Sequence, residues 1–299
     1  MARTDIPPLT AVRVAEAAAR HGNFTAAANE LGMTQAAVSY QIKILEERVG
    51  AQLFERHARG VSLTTIGRSL TSKATEALDI LADAYADAKG SSQGTLAVSV
   101  IPTFGTNFLA QRLGKFQIES PDIAVRVEVS EGLVDFMSDG FDVAIRGGKG
   151  NWEGLKSRLL LPTVFTPMLS PDLAASIGGV KEPADLLKLP ILSGHDPWWH
   201  RWFEDVNVDY SPPPEGSGGQ FGPQILEANA AIAGQGVAML TPAFFQSELE
   251  RRQLVQPFEM TCDDGSGYWI VFPESRRNSG KIRKFEKWLR NEAAAFRKS

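Results

Sequence analysis

The sequence predicts an α/β protein with an N-terminal winged helix-turn-helix, and three observations carry that expectation. Phe24 to Gly50 holds two short helices around a tight corner, Gly32-Met33. A β-α-β-α-β rhythm begins at Thr95. Between the two regions, Lys89-Gly90-Ser91-Ser92-Gln93-Gly94 reads as a flexible joint. At 299 residues the chain has room for two or more domains.

The first helix spans Leu9 to His21, with Thr10 as cap, Gly22 as stop and Leu9, Val12, Ala15, Ala18 and Ala19 as its apolar side. Thr25 then precedes a short run stopped by Gly32, and Thr34 precedes a longer one stopped by Gly50. A threonine side chain caps the orphan N–H groups of a helix start, and glycine suits the left-handed residue past a helix end. In the longer run Val38, Ile42, Leu45 and Val49 recur at steps of four, three and four, a buried stripe. Rotated away from it are Gln35, Ala36, Ser39, Tyr40 and Lys43, short or polar side chains for base edges and one cation for a phosphate. An ordinary helical hairpin of a larger core would share the periodicity; the caps, the corner length and the exposed-face chemistry favour a DNA-reading pair.

After Gly50, Leu53 and Phe54 anchor a strand, a cationic loop runs from Arg56 to Gly60, and Val61 and Leu63 alternate with Ser62 and Thr64. Two short strands around that loop make a wing. Arg56, His57 and Arg59 sit at its tip, where arginine suits phosphates or a narrow minor groove. A solvated charged loop would look the same in isolation; its place after a recognition helix favours DNA.

Residues 9–66 resemble the winged helix-turn-helix of LysR-type transcriptional regulators. The matching pieces are Phe24 to Ala28, Gln35 to Gly50, Leu53 to Arg56 and Arg59 to Gly67. The resemblance implies a DNA-binding head (1–65), a dimerising linker helix and joint (66–92), and a two-lobed, periplasmic-binding-protein-like effector domain (93–299). It assigns one lobe to 93–161 and 268–299 and the other to 162–267. It also implies a homodimer or homotetramer acting on double-stranded DNA at a pseudo-palindromic operator, with contact to RNA polymerase.

Thr65 to Ala88 reads as one amphipathic helix whose Ile66, Leu70, Ala74, Ala77, Leu81, Ala84 and Ala88 approximate a heptad seam for a second copy. Strands follow at Thr95 to Val100, Ile123 to Val129 and Phe141 to Arg146, with helices at Phe104 to Ile118 and Leu133 to Asp139 between them. Further on come an extended Leu159 to Leu169, strands at Ile191 to Gly194, Gly236 to Leu240 and Tyr268 to Phe272, and helices at Trp198 to Asp205, Ile225 to Ala233, Ala243 to Arg252 and Ser279 to Phe296.

In open α/β lobes ligands sit outside the carboxyl ends of the strands. That selects Pro102, Thr103 and Phe104 after the first strand, and Arg146 and Gly147 at the end of the third. From the second lobe it selects Ser193, His195, Trp198 and Phe221. A permanent cation beside close-approach backbone predicts a small anionic effector. Pro102-Thr103-Phe104, Val134-Asp135 and Gly140 to Gly147 also resemble the subgroup of the glycine-cleavage and β-lactamase regulators. Thr103 and Asp135 match positions that, in the β-lactamase regulators, bind cell-wall peptides.

The net charge of −4 confines any nucleic-acid binding to a local basic surface. Cys262 is the only cysteine, which excludes an intrachain disulfide and a cysteine-cluster metal site. Gly147-Gly148-Lys149-Gly150 lacks the order of a phosphate loop, and no serine-hydrolase elbow occurs. His195 and His200 lack a third ligand, and Asp263-Asp264-Gly265 reads as a turn. Neither an enzyme nor a cofactor is expected. With no signal peptide or apolar run of spanning length, a cytoplasmic location is expected.

Overall fold

A computed structural model describes residues 6–57, 60–88, 94–136, 139–214 and 219–297. The chain forms two compact units, Met1–Ser91 and Ser92–Ser299.

The first unit packs α1 (Leu9–His21), α2 (Phe24–Leu31) and α3 (Gln35–Val49) with a hairpin of β1 (Phe54–His57) and β2 (Gly60–Leu63), then α4 (Thr65–Ala88). Thr34 caps α3 through Ala37 N–H, and Gly22, Gly32 and Gly50 are all left-handed, as their positions require. The cap of α2 is Asn23 rather than Thr25. The Asn23 carboxamide oxygen accepts from Thr25 N–H (2.7 Å) and Ala26 N–H (3.3 Å), so the helix begins at Phe24, ahead of the expected cap. Thr10 lies inside α1, which starts on the Pro8 carbonyl with no side-chain cap. Its buried face is Ala11, Val14, Ala15, Ala17 and Ala18, leaving Leu9 53% exposed. Val38, Ile42 and Leu45 are buried as their spacing demands, but Val49, at the turn into Gly50, is 38% exposed.

The hairpin is bound to the helices by backbone. Val61 N–H donates to Gly22 O (3.0 Å), and Leu53 and Phe54 N–H both donate to Glu46 Oε1 (2.8 and 3.2 Å). A Cβ on Gly67 would stand 2.0 Å from Leu53 O, so glycine alone lets α4 start this close. Along α4, Leu70 packs on the head core and Ala74 is buried, whereas Ile66, Ala77, Ile80, Leu81 and Tyr85 are exposed. The seam positions Ala84 and Ala88 have side chains outside the described residues.

The second unit runs β3 (Gly94–Val100), α5 (Pro102–Phe104), a π turn (Gly105–Leu109), α6 (Leu113–Glu119), β4 (Ile123–Val129), β5 (Val143–Gly148) and β6 (Leu155–Met168). It continues with α7 (Pro171–Ala175), α8 (Pro197–Asp205), α9 (Gln224–Ile232), β7 (Ala238–Leu240), α10 (Gln246–Glu250), β8 (Cys262–Pro273) and α11 (Gly280–Phe296). The sheet order is β4-β3-β5-β8-β6-β7. Its β4-β3-β5 part is parallel, and β8 pairs antiparallel with both β5 and β6. The long strands β6 and β8 shift register between Leu159 and Leu161 and again between Pro162 and Val164. Those bulges bend the two-strand ribbon where it passes between two cores. One core holds Phe104, Phe108, Phe116, Phe285 and Trp288, the other Phe165, Trp199, Trp202 and Phe203.

Several expected elements differ. The helix expected over Phe104 to Ile118 is divided into α5, the π turn and α6, since Gly105 is pressed against Val100. Leu133–Phe136 is not helical; the Asp139 carboxylate takes Asp135 N–H (2.9 Å), competing with a helical bond. Ile191 forms only an isolated bridge to Val237, with no strand through Gly194. Asp263-Asp264-Gly265 belongs to β8, although Gly265 is left-handed (φ 70°) and both aspartates accept backbone N–H groups two residues on.

Candidate functional site

Two sites emerge, one in each unit. In the first, the exposed side of α3 and the outer side of the wing form a groove of about 680 Å³ lined by Ser39, Tyr40, Lys43, Glu46, Gln52 and Arg56, among others. Gln35, Ala36, Tyr40 and Lys43 are exposed, and Ser39 is half-buried. Tyr40 is 63% exposed, a large ring left to water on a helix whose other face is fully packed. Arg56 stands over the Phe24 ring at 5.3 Å, and Phe24 packs edge-on against Phe54 at 5.5 Å, so the wing cation is placed by the head core. Lys43 has only a loose 3.7 Å pairing with Glu47, leaving its ammonium available to a phosphate. Thr25 and Thr34 are exposed at the starts of α2 and α3. Arg59 lies outside the described residues.

In the second unit a cavity of about 290 Å³ opens beyond the carboxyl ends of β3 and β5, with Pro102, Thr103, Gly147 and Trp198 in its wall. Those four were expected there. Glu131, Asp196, Gly222, Pro223, Gln224, Glu227 and Tyr268 complete most of the lining and were not anticipated. Thr103 Oγ1 accepts from Ile225 N–H (3.1 Å), joining α5 to the start of α9. Gln224 donates to Tyr268 Oη (2.9 Å) and accepts from Thr241 N–H (2.7 Å), fixing the floor. Trp198 stacks on Phe165 at 4.5 Å, its indole N–H donating to Asp264 Oδ2 (3.2 Å).

The remaining expected residues stand elsewhere. Phe104 is core, packed on Phe108 and Tyr268. Ser193 backs the wall, its hydroxyl donating to Phe221 O and accepting from Phe221 N–H, while the Phe221 ring packs on the core. His195 and Asp135 are exposed and are not part of the lining. Arg146 is a correction. Its guanidinium donates to Ser99 Oγ (2.6 Å), Ile145 O (2.8 Å) and Gly132 O (3.2 Å), and burial holds its pKa below the usual arginine range. A buried guanidinium collects neutral acceptors in this way to offset its lost hydration. It braces the 131–136 loop and does not line the cavity.

The charge of the cavity also departs from expectation. Glu227 is 4% exposed. Burial pushes its carboxyl up to about 8, the Ser193 hydroxyl drawing it partly back and the Asp196 carboxylate raising it further. Asp196, which caps α8 by accepting Trp198 N–H (2.8 Å), is raised by burial too. No lysine or arginine is among the lining residues, so the expected anion-favouring cleft is not what this wall supplies.

Residues 9–68 match the bacterial regulatory helix-turn-helix family of LysR type, and residues 89–294 match the LysR substrate binding domain. The chain is 37% identical to the glycine cleavage system transcriptional activator of Escherichia coli (strain K12), over 97% of this chain and 95% of that protein. It is 36% identical to the transcriptional activator AmpR of Pseudomonas aeruginosa, over 96% of each. The AmpR effector binding domain from Citrobacter freundii superposes with a TM-score of 0.61 at 30% identity, covering 69% of this chain and all (100%) of that one. CrgA of Neisseria meningitidis, at 24% identity and a TM-score of 0.55, covers 95% of this chain and 98% of its own and shows the shared fold alone.

Proposed function

The chain belongs to the LysR-type transcriptional regulators, and on that footing we propose that α3 and the wing read an operator while the cavity of the second unit takes the small molecule that switches it. The division of labour follows the domain assignment: head 1–65, linker 66–92, and effector domain 93–299 with lobes exchanging at about 161/162 and 267/268. The observation that carries the DNA half is the shared groove that gathers Ser39, Tyr40, Lys43 and Arg56. Gln35, Ser39 and Tyr40 meet base edges, and Lys43, Arg56 and Arg59 meet phosphates. Ligand binding then favours one arrangement of the lobes, and a coupling of this kind acts only through differential affinity for the two states.

The exposed apolar residues Ile66, Ile80, Leu81 and Tyr85 on α4 support a homodimer formed through the linker. Two heads on one axis read a pseudo-palindromic site. A second dimer and contact with RNA polymerase extend the same reading. Such a regulator works beside the chromosome in the cytoplasm; among the described residues no helix is long and apolar enough to cross a membrane.

Fluorescence anisotropy of the full-length protein on DNA flanking its own gene tests this. Affinity is expected to fall steeply with salt, as counterion release requires. Tyr40→Ala and Ser39→Ala should erase discrimination between operator and scrambled duplex. Equal affinity for both duplexes by the unsubstituted protein would refute the assignment.

A further inference from the structure

The sign of the cavity walls narrows the ligand. Glu131 comes from the loop after β4, Asp196 from the start of α8 and Glu227 from α9, so three separate segments each deliver a carboxylate to one cavity. None of the lining residues is a lysine, arginine or histidine. Glu227, 4% exposed, has little water over which to spread a charge. Glu131 lies against Gly222, where a Cβ would meet Oε2 at 3.5 Å, so a carboxylate of the first lobe faces the backbone of the second.

The devices that would hold an anion are already engaged. At the start of α9, Ile225 N–H goes to Thr103 Oγ1 (3.1 Å), and Leu226 and Glu227 N–H go to Pro223 O (2.9 and 3.4 Å). Arg146 is committed to Ser99, Ile145 and Gly132. Trp198 adds an aromatic wall beside the carboxylates, a surface that attracts cations.

We propose that the cavity binds its effector through a cationic ammonium group, received by the carboxylates of Asp196, Glu227 and Glu131 with Trp198 alongside. This rests on the cavity being the effector site and names the ligand class for it. At about 30 Å³ per water-sized group, the 290 Å³ cavity admits a molecule of about ten heavy atoms. Glu227 faces Ser193 and Asp196, and Asp196 in turn feels Asp264, whose own charge is partly offset by Lys149. Arrival of an ammonium group displaces the proton that burial leaves on Glu227 and releases it to solvent. Binding therefore strengthens as pH rises toward the range where Glu227 would ionise unaided.

The test uses the full-length protein, thermal shift and tryptophan fluorescence at pH 6.5, 7.5 and 8.5. Ethanolamine and 1,4-diaminobutane, whose alkylammonium groups stay protonated across this range, are set beside glycolate and butanedioate. An amine should give a saturable rise in Tm, with affinity tightening roughly tenfold or more between the lowest and highest pH. Asp196→Asn should weaken it about tenfold, and Glu131→Gln, at an exposed position unconnected to the core, should weaken it without changing the unliganded Tm. No response to any amine, or an amine affinity flat with pH and unchanged in both variants, overturns the proposal. A response to the carboxylates alone overturns it too, yet leaves the cavity as effector site. An amine that binds as expected without altering operator affinity upholds the ligand class and refutes the regulatory reading.

Discussion

Replacing Glu227 by glutamine isolates the electrostatic cost built into the cavity. Its folded-state pKa of about 8 stands well above the ordinary 4.5. A carboxyl raised in this sense is deprotonated in the unfolded chain first as pH rises. Its contribution to stability is therefore complete below the unfolded value and drains away up to the folded one. Across pH 5 to 7.5 the linkage integral gives a loss of about 3 kcal/mol from this single group. Glutamine has nearly the same shape and cannot ionise. The variant should match the parent near pH 5 and exceed it at pH 7.5 by roughly 6–12 °C in Tm, at about 2–4 °C per kcal/mol for a unit of this size. Differential scanning calorimetry at the two pH values reads the difference directly. Parallel pH profiles for the two proteins would mean that Glu227 carries no such burden, and the acidic-cavity reasoning would fail with it. The same substitution should weaken amine binding, a stability gain bought with function.

Three other substitutions probe the rest of the molecule. Gly67→Ala forces a methyl into Leu53 O, at 2.0 Å, and should cost the head about 3 kcal/mol in urea denaturation. Lys43→Ala should lower DNA affinity evenly across sequences and reduce the slope of log K against log salt by about 1 in an anisotropy titration. Leu81→Glu puts a charge on an α4 position that is 50% exposed in the single chain, and should shift sedimentation velocity toward the monomer without lowering the Tm of the second unit.

The head was readable because its signals are local. A capped run, a left-handed glycine and a step of three or four each depend on a few adjacent residues, and α3 and the wing formed from them. The misplaced caps at Thr10 and Thr25 show the limit of that logic: Pro8 and Asn23, just upstream of each, offered the better start. The cavity was legible only in part. Pro102, Thr103 and Gly147 follow from the rule that strand ends face the ligand. Glu131, Asp196, Glu227 and Tyr268 come from four distant segments, and no spacing along the chain announces that β6 and β8 bring them together. Arg146 was misassigned for a related reason. Strand alternation places its Cβ on one face of the sheet, but the choice between cleft and brace was made by Ser99 and Gly132, far away in sequence. A signal was available for Glu227, an acid between Ile225-Leu226 and the alanine-rich run Ala228 to Ala233, where a charge is costly unless the site uses it.

The most direct measurement of the central claim is reciprocal linkage. A molecule that stabilises the second unit is titrated into the full-length protein, free and saturated with operator DNA. If the cavity governs the head, its affinity must change by the same factor by which the molecule changes operator affinity. Identical affinities for free and DNA-bound protein would contradict the account.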